Sequence, residues 1–443
     1  MRKLILFVLM GPLWAQDTLS LREAVRLALK ENKAIAATDA GIRASAARVD
    51  EARAGWLPKL NYSESFARSD NPVFVFSSLL TQHQFGPENF NIGPLNRPDF
   101  LNNFQSLLTV DQVLYDAGQT RNAVKSADLS QQMTREEQRR TGMQVISGVV
   151  SAYYGAVLAS ESLKTAEQAL GSAEADLKRA ESVRAAGMST DVDVLSIRVH
   201  LAAVTEQRIQ RAADLDVARS ALNDALGLPL DTAHNLTTAL SPLDLPDLEL
   251  TSLEHDASAT RPEARETHLA AGLAKTQADS ARSSLLPQVT FRAAFEADRQ
   301  RFLDRGGANW LASVGLHWNL FNGLADKARI QESSHWLTRA HADEQRMDSA
   351  VRLEVRRAWA DLRAAQQRIE VAKAAVAEAE ESLRITQNRY EAGMSNVTDL
   401  LRNETAVLES RTRYLGAVHD QRLAATMLEL AAGRLSPDSE VLN

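Results

Sequence analysis

SVRAAGMSTDVDVL at residues 182–195 and NRYEAGMSNVTDLL at residues 388–401 decide how this chain is read. Six of their fourteen positions are identical at a constant offset of 206 residues: Ala186, Gly187, Met188, Ser189, Asp193 and Leu195 recur as Ala392, Gly393, Met394, Ser395, Asp399 and Leu401. A chain that repeats itself over such a distance is built from two copies of one unit. The match continues without a gap from Leu114/Leu320 through Tyr153/Trp359 to Gly227/Gly433, so the copies share helix lengths. In each string glycine stands where a helix C-terminus wants a left-handed residue, and Ser189 and Ser395 are placed to cap the next helix. Each AGMS is therefore expected at the tip of an antiparallel helical hairpin.

Proline outlines the helices. None occurs between Pro98 and Pro229 or between Pro287 and Pro437, and helix interiors exclude proline. The second copy also lacks glycine from 324 to 392, a span that would reach about 100 Å as one helix. The first carries Gly142, Gly148, Gly155 and Gly171 there, so kinks are expected in it. Past the tip, Val194, Ile197, Leu201 and Val204 follow the 3, 4, 3 spacing of a coiled-coil seam. Further helices are expected over 21–53 and 264–284. The proline-bearing segment 228–250 links the copies.

Short alternating segments precede each long helix. PQVTFRAAFE (287–296) sets Val289, Phe291, Ala293 and Phe295 opposite Gln288, Thr290, Arg292 and Glu296. SVGLHWNLF (313–321), PKLNYSESF (58–66) and SLLTVDQVLY (106–115) behave alike, with Glu64 misplaced on an apolar face. Period two makes these strands. Apolar-out strands of a transmembrane barrel and a soluble sheet with one buried face both fit. The connections are long in the first pair (71–103) and short in the second (298–309). If the strands span lipid, four cannot close a barrel, which needs about eight, and open edges there leave backbone groups unpaired. Several chains would have to share one barrel.

MRKLILFVLMGPLWAQ at the start has a basic n-region and an apolar run, with Ala15 as cleavage position; residues 1–15 read as a signal peptide. No later run approaches the roughly 18 apolar residues of a membrane-spanning helix. Zero cysteines among 443 residues exclude disulfides, thiolate metal sites and an N-terminal lipidated cysteine. A net charge of −7 without a basic run argues against a nucleic-acid partner. Nine histidines lack ligand spacing, no glycine loop suits phosphate, and GMS is no nucleophile elbow, so neither enzyme, metal nor cofactor is expected.

The order of these features resembles the TolC-like outer-membrane factor family. LSLREAVRLALKEN (19–32), the strand pairs ending LYDAGQ and LFNGLA, and the two AGMS tips carry the resemblance, which covers essentially the whole mature chain. Lys33 departs from it, standing where members often have proline. The resemblance implies a mainly α fold with a small β part. Three chains, four strands each, would form a twelve-stranded β-barrel in the outer membrane of a Gram-negative bacterium. A periplasmic α-helical coiled-coil barrel would continue it. The repeats would cover 16–228 and 251–434, with an equatorial segment at 229–250 and a tail at 435–443.

Such channels are passive exits for substrates delivered by an inner-membrane pump through a periplasmic adaptor. The resemblance makes Gly187, Met188, Ser189, Gly393, Met394 and Ser395 the adaptor-docking tips. It puts Asp399 in a pore constriction with Arg402, where some members have a second aspartate, and pairs Tyr390 with Asp193 as gate contacts. Ser395 occupies the place of an arginine clasp found in some members. Without the resemblance, Asp193 and Asp399 are first-turn aspartates favoured by the helix dipole. The rival to a channel is a secreted coiled-coil scaffold or adaptor without a pore, which explains the helices but not the paired strands.

Overall fold

A computed structural model describes residues 18–187, 190–244 and 249–443; the signal-peptide segment, Met188 and Ser189 lie outside them. In chain order the elements are β1 (Thr18–Leu19), α1 (Leu21–Glu31), α2 (Lys33–Arg53), β2 (Lys59–Ser69), α3 (Pro72–Thr81), α4 (Ile92–Asn96), β3 (Leu101–Tyr115), α5 (Gln119–Ala185) and α6 (Asp191–Leu226). There follow β4 (Asn235–Leu236), α7 (Leu250–Thr260), α8 (Pro262–Ser283), β5 (Gln288–Arg299), β6 (Gly307–His317), α9 (Ala325–Glu391) and α10 (Val397–Ala431). The mainly helical fold with a small sheet is as the sequence suggests. The chain divides into two compact units.

The first unit comprises 18–40, 135–266 and 345–443. A capping box starts α1: Ser20 Oγ accepts from the Glu23 amide, and the Glu23 carboxylate accepts from the Ser20 amide at 2.9 Å. Leu21, Ala24, Val25 and Ala28 then form one fully buried stripe. The single helix expected over 21–53 is broken at Asn32, which takes an extended conformation. Its side chain accepts from the Ala34 amide at 2.8 Å and donates to Ala225 O at 3.0 Å, offering the backbone an alternative to the helix.

Tyr153 and Tyr154 anchor the core of this unit without exposed surface. Tyr153 Oη donates to Leu19 O and accepts from the Thr238 amide, both at 2.9 Å. It thereby ties α5 to the parallel β1–β4 pair, whose second strand lies in the proline-bearing segment that links the copies. Both long helices span 67 residues, about 100 Å each. α5 stays helical through all four of its glycines. One window of α5 is apolar enough to cross a bilayer by composition, yet half of it is buried within the protein.

The second unit comprises 41–134 and 267–344 and holds an antiparallel sheet ordered β2-β3-β5-β6. The register places Leu60, Tyr62 and Phe66 on one face with Phe104, Leu108 and Val110, Phe291 and Phe295, and Trp310, Val314 and Leu316. The opposite face carries Asn103, Gln105, Asp111, Arg292, Glu296, Asp298, Asn309 and Ser313. Glu64 does fall on the apolar face, but not alone. Arg299 Nη2 stands 2.9 Å away, and the Tyr62 and Ser106 hydroxyls donate to it.

The fourth strand, expected over 313–321, lies over 307–317 instead. Its pairing with β5 ends at Gln288↔His317, and Pro287 beyond has no N–H to extend the ladder. The other strands run further toward their connections than the alternation indicated. The long connection carries α3, a 3-10 turn and α4, so it is structured rather than an open loop.

Candidate functional site

The ends of α5 and α9 are built as the AGMS strings demand. Gly187 and Gly393 have φ of 75° and 71°, open to glycine at no steric cost. At the second tip the Gly393 amide donates to Tyr390 O at 3.0 Å and the Met394 amide to Arg389 O at 2.8 Å, closing a Schellman turn. At the first, the Gly187 amide donates to Arg184 O at 2.9 Å. The caps fall one residue later than expected. Thr190 rather than Ser189 caps α6, and Asn396 rather than Ser395 caps α10. An N-cap needs extended backbone, and Thr190 and Asn396 supply it at φ/ψ of −98°/158° and −96°/165°.

Those caps engage both aspartates. Asp193 Oδ2 accepts from Thr190 Oγ1 at 2.8 Å in a capping box. The Asp399 amide donates to Asn396 Oδ1 at 2.8 Å, and its carboxylate accepts from Ser395 Oγ at 3.5 Å. Arg402 is exposed one turn on. Val194, Ile197 and Val204 are buried along the expected seam. Val194 and Ile197 pack with Ala180 and Val397, and Tyr390 leans on this cluster. Burial, then the carboxylates of Asp193 and Asp176, push the Tyr390 phenol above its usual range. Of the sequence-derived residues, Tyr390 and Asp193 thus share one electrostatic environment.

Sequence reasoning missed a polar cluster where four helices meet. Asp176 of α5 bonds Glu404 of α10, which lies 3.3 Å from His200 Nε2 of α6. Arg179 of α5 reaches Asp176 at 3.6 Å and Glu391 of α9 at 2.9 Å. Burial first, then the Glu404 carboxylate, raises Asp176 to about 7. Burial works against Glu404 too, but bonds from His200 and Asp176 outweigh it and hold its carboxyl low. A cavity of about 390 Å³ adjoins, lined by His200, Glu404, Glu380, Arg384 and Arg411. No local motif marks these residues, since they are drawn from four separate helices. Among the described residues no group of three or more histidines and carboxylates is arranged to hold a metal.

Residues 24–228 and 253–434 match the family model of the outer membrane efflux proteins. The chain belongs to the outer membrane efflux protein family. It is 28% identical over 426 residues to Protein CyaE of Bordetella pertussis, covering 95% of this chain and 85% of that one. It is 24% identical to the outer membrane efflux protein BepC of Brucella suis, covering 97% and 88%. In structure it is similar to the CmeC outer membrane channel of Campylobacter jejuni, with a TM-score of 0.80 at 16% identity over 95% of this chain and 87% of that one. This family member is an outer-membrane exit channel with a large periplasmic helical part. The TolC-like resemblance carried by its motifs holds, and the family is one of transport proteins rather than enzymes.

Proposed function

We propose that three copies of this chain join their four-stranded sheets into one twelve-stranded barrel. It would be the passive outer-membrane exit for cargo handed over by an inner-membrane pump through a periplasmic adaptor. The supporting observation is the sheet itself. Its edge strands β2 and β6 are exposed along almost their whole length and have no outer partner among the described residues, while one face is largely apolar, interrupted by the Glu64–Ser106–Arg299 cluster and Gln112. Each backbone group left unpaired in lipid costs several kcal/mol, so such edges require neighbours. Mass measurement of the detergent-purified protein tests this: a stable trimer is expected, and a stable monomer refutes it.

The remaining roles follow from position. Gly187, Met188, Ser189, Gly393, Met394 and Ser395 form two chemically similar tips per chain for the adaptor. Asp399 and Arg402 lie in the first turns of α10 and would ring the constriction. Tyr390 and Asp193 would hold the hairpins together in the closed state. Residues 16–228 and 251–434 are two copies of one unit, which accounts for two long helices of equal length.

A further inference from the structure

Glu296 and Asp298 stand two residues apart on β5, so both carboxyls project from the polar face of the sheet. The side-chain bonds they accept come from neutral amides: Gln105 Nε2 donates to Glu296 Oε1 at 2.7 Å, and Asn103 Nδ2 to Asp298 Oδ1 at 2.6 Å. The two carboxyls also stand against each other. Asp298 is 1% exposed, yet its Oδ2 has no hydrogen-bond partner among the described residues. Gln82, which follows α3, repeats the pattern at 2% exposure. Its Nε2 donates to Asn103 Oδ1 at 2.8 Å and Asn102 O at 3.0 Å, while its buried Oε1 has no partner among the described residues.

Both side chains are bonded to the one amide of Asn103, which brings the two unpaired oxygens together beside the Glu296 carboxyl. Cover is close. A Cβ on Gly306 would collide with Asp298 O, and one on Gly307 with Thr81 O, so the β5–β6 turn lies directly on this cluster. Buried polar oxygens need donors, and neighbouring buried carboxylates need compensating charge. A water would satisfy the oxygens and leave the charge. A proton shared by the two carboxyls would answer the charge and leave Gln82 Oε1 bare. A cation answers both.

We propose that Asp298 Oδ2, Gln82 Oε1 and the Glu296 carboxylate hold a calcium ion. Carboxylate and amide oxygens are the ligands this hard cation takes, and it accepts irregular geometry where magnesium demands a near-ideal octahedron. Only two carboxylates contribute, so water completes the shell. Affinity is expected in the range of about 10⁻⁴–10⁻³ M found in extracellular modules. The site is complete within one chain and goes beyond the channel reading without needing the trimer. It ties the connection after β2, in the first half of the chain, to β5 in the second. On the barrel reading it faces the lumen near the outer end, where the medium supplies calcium.

Equilibrium dialysis of the full-length protein in detergent, stripped with a chelator, against radioactive calcium at about 1 mM reads the site. One bound calcium per chain is expected, and Glu296→Gln and Asp298→Asn should each weaken binding at least about tenfold. Asp304→Asn, in the same turn but paired with Arg301 at 4.0 Å, should bind as the parent does. Calcium should also raise the unfolding temperature of the parent. A variant that is merely less stable keeps that shift, whereas loss of the site removes it. Absence of bound calcium from the parent, or equal affinity in the parent and both carboxylate variants, overturns the inference. Displacement by an equal concentration of magnesium overturns the choice of calcium. A monomer by mass that binds calcium refutes the channel reading and leaves this inference standing.

Discussion

Asp176→Asn should stabilise the protein above neutral pH and flatten its response to pH. Asp176 is 6% exposed and bonded to Glu404, and its carboxyl is raised from 3.8 to about 7. Between those values the folded chain keeps a proton that the unfolded chain releases. Stability from this group is therefore present in acid and lost as pH rises through about 7. A carboxyl raised from 3.8 to about 7 on its own would account for about 4 kcal/mol. Glu404 shares the proton and is shifted the opposite way, so about 2 kcal/mol per chain is the working figure. Asparagine keeps a donor for Glu404 and carries no charge at any pH. Thermal unfolding in detergent at about pH 4 and about pH 8.5, which take in nearly all of the 3.8-to-about-7 interval, reads the effect. The parent should lose a few degrees between them, and Asp176→Asn should lose much less. Parallel pH responses would show that the cluster is not protonated as described, and the reasoning would be wrong.

Replacing Gly187 and Gly393 together by valine should abolish export while sparing trimer assembly. Nothing lies within 4 Å of the new Cβ atoms, so the change strains only the left-handed backbone of the tips, by about 1–2 kcal/mol each. An export assay beside native-gel mass decides it, and full export refutes tip docking. Tyr390→Phe with Asp193→Ala should raise single-channel conductance in planar bilayers, modestly because Ser395 supplies no arginine clasp. A charge-assisted bond contributes roughly 1.5–3 kcal/mol, so three per trimer are enough to bias closure. Asp399→Ala should instead alter cation block with closure intact; an unchanged block would remove Asp399 from the lumen.

Local rules made much of this protein legible. The AGMS strings located both hairpin tips because a left-handed glycine followed by a capping residue leaves few backbone alternatives. Alternation found all four strands, but their ends shifted because register with a partner, as at Pro287 and His317, decides where a ladder stops. The cap at Thr190 was misplaced by one residue, since serine and threonine compete there on near-equal terms. Asp176, Glu404 and His200 were invisible because they meet only through packing of three separate helices. α3 hid in a stretch rich in proline and asparagine, where propensity favours turns and tertiary bonds from Gln82 fix the helix.

The charged group on the apolar face has a consequence for how the protein is made. Glu64, Ser106 and Arg299 come from β2, β3 and β5, hence from both halves of the chain. On the barrel reading they lie toward the strand ends that would traverse the bilayer to reach the outside. An unpaired carboxylate or guanidinium crossing hydrocarbon is far costlier than the same two already joined. The β3–β5 seam, Phe104↔Arg299 included, must therefore zip before that end enters the membrane. On the barrel reading assembly has an order: β2, β3 and β5, from the two halves, would unite first, and insertion of that end would follow.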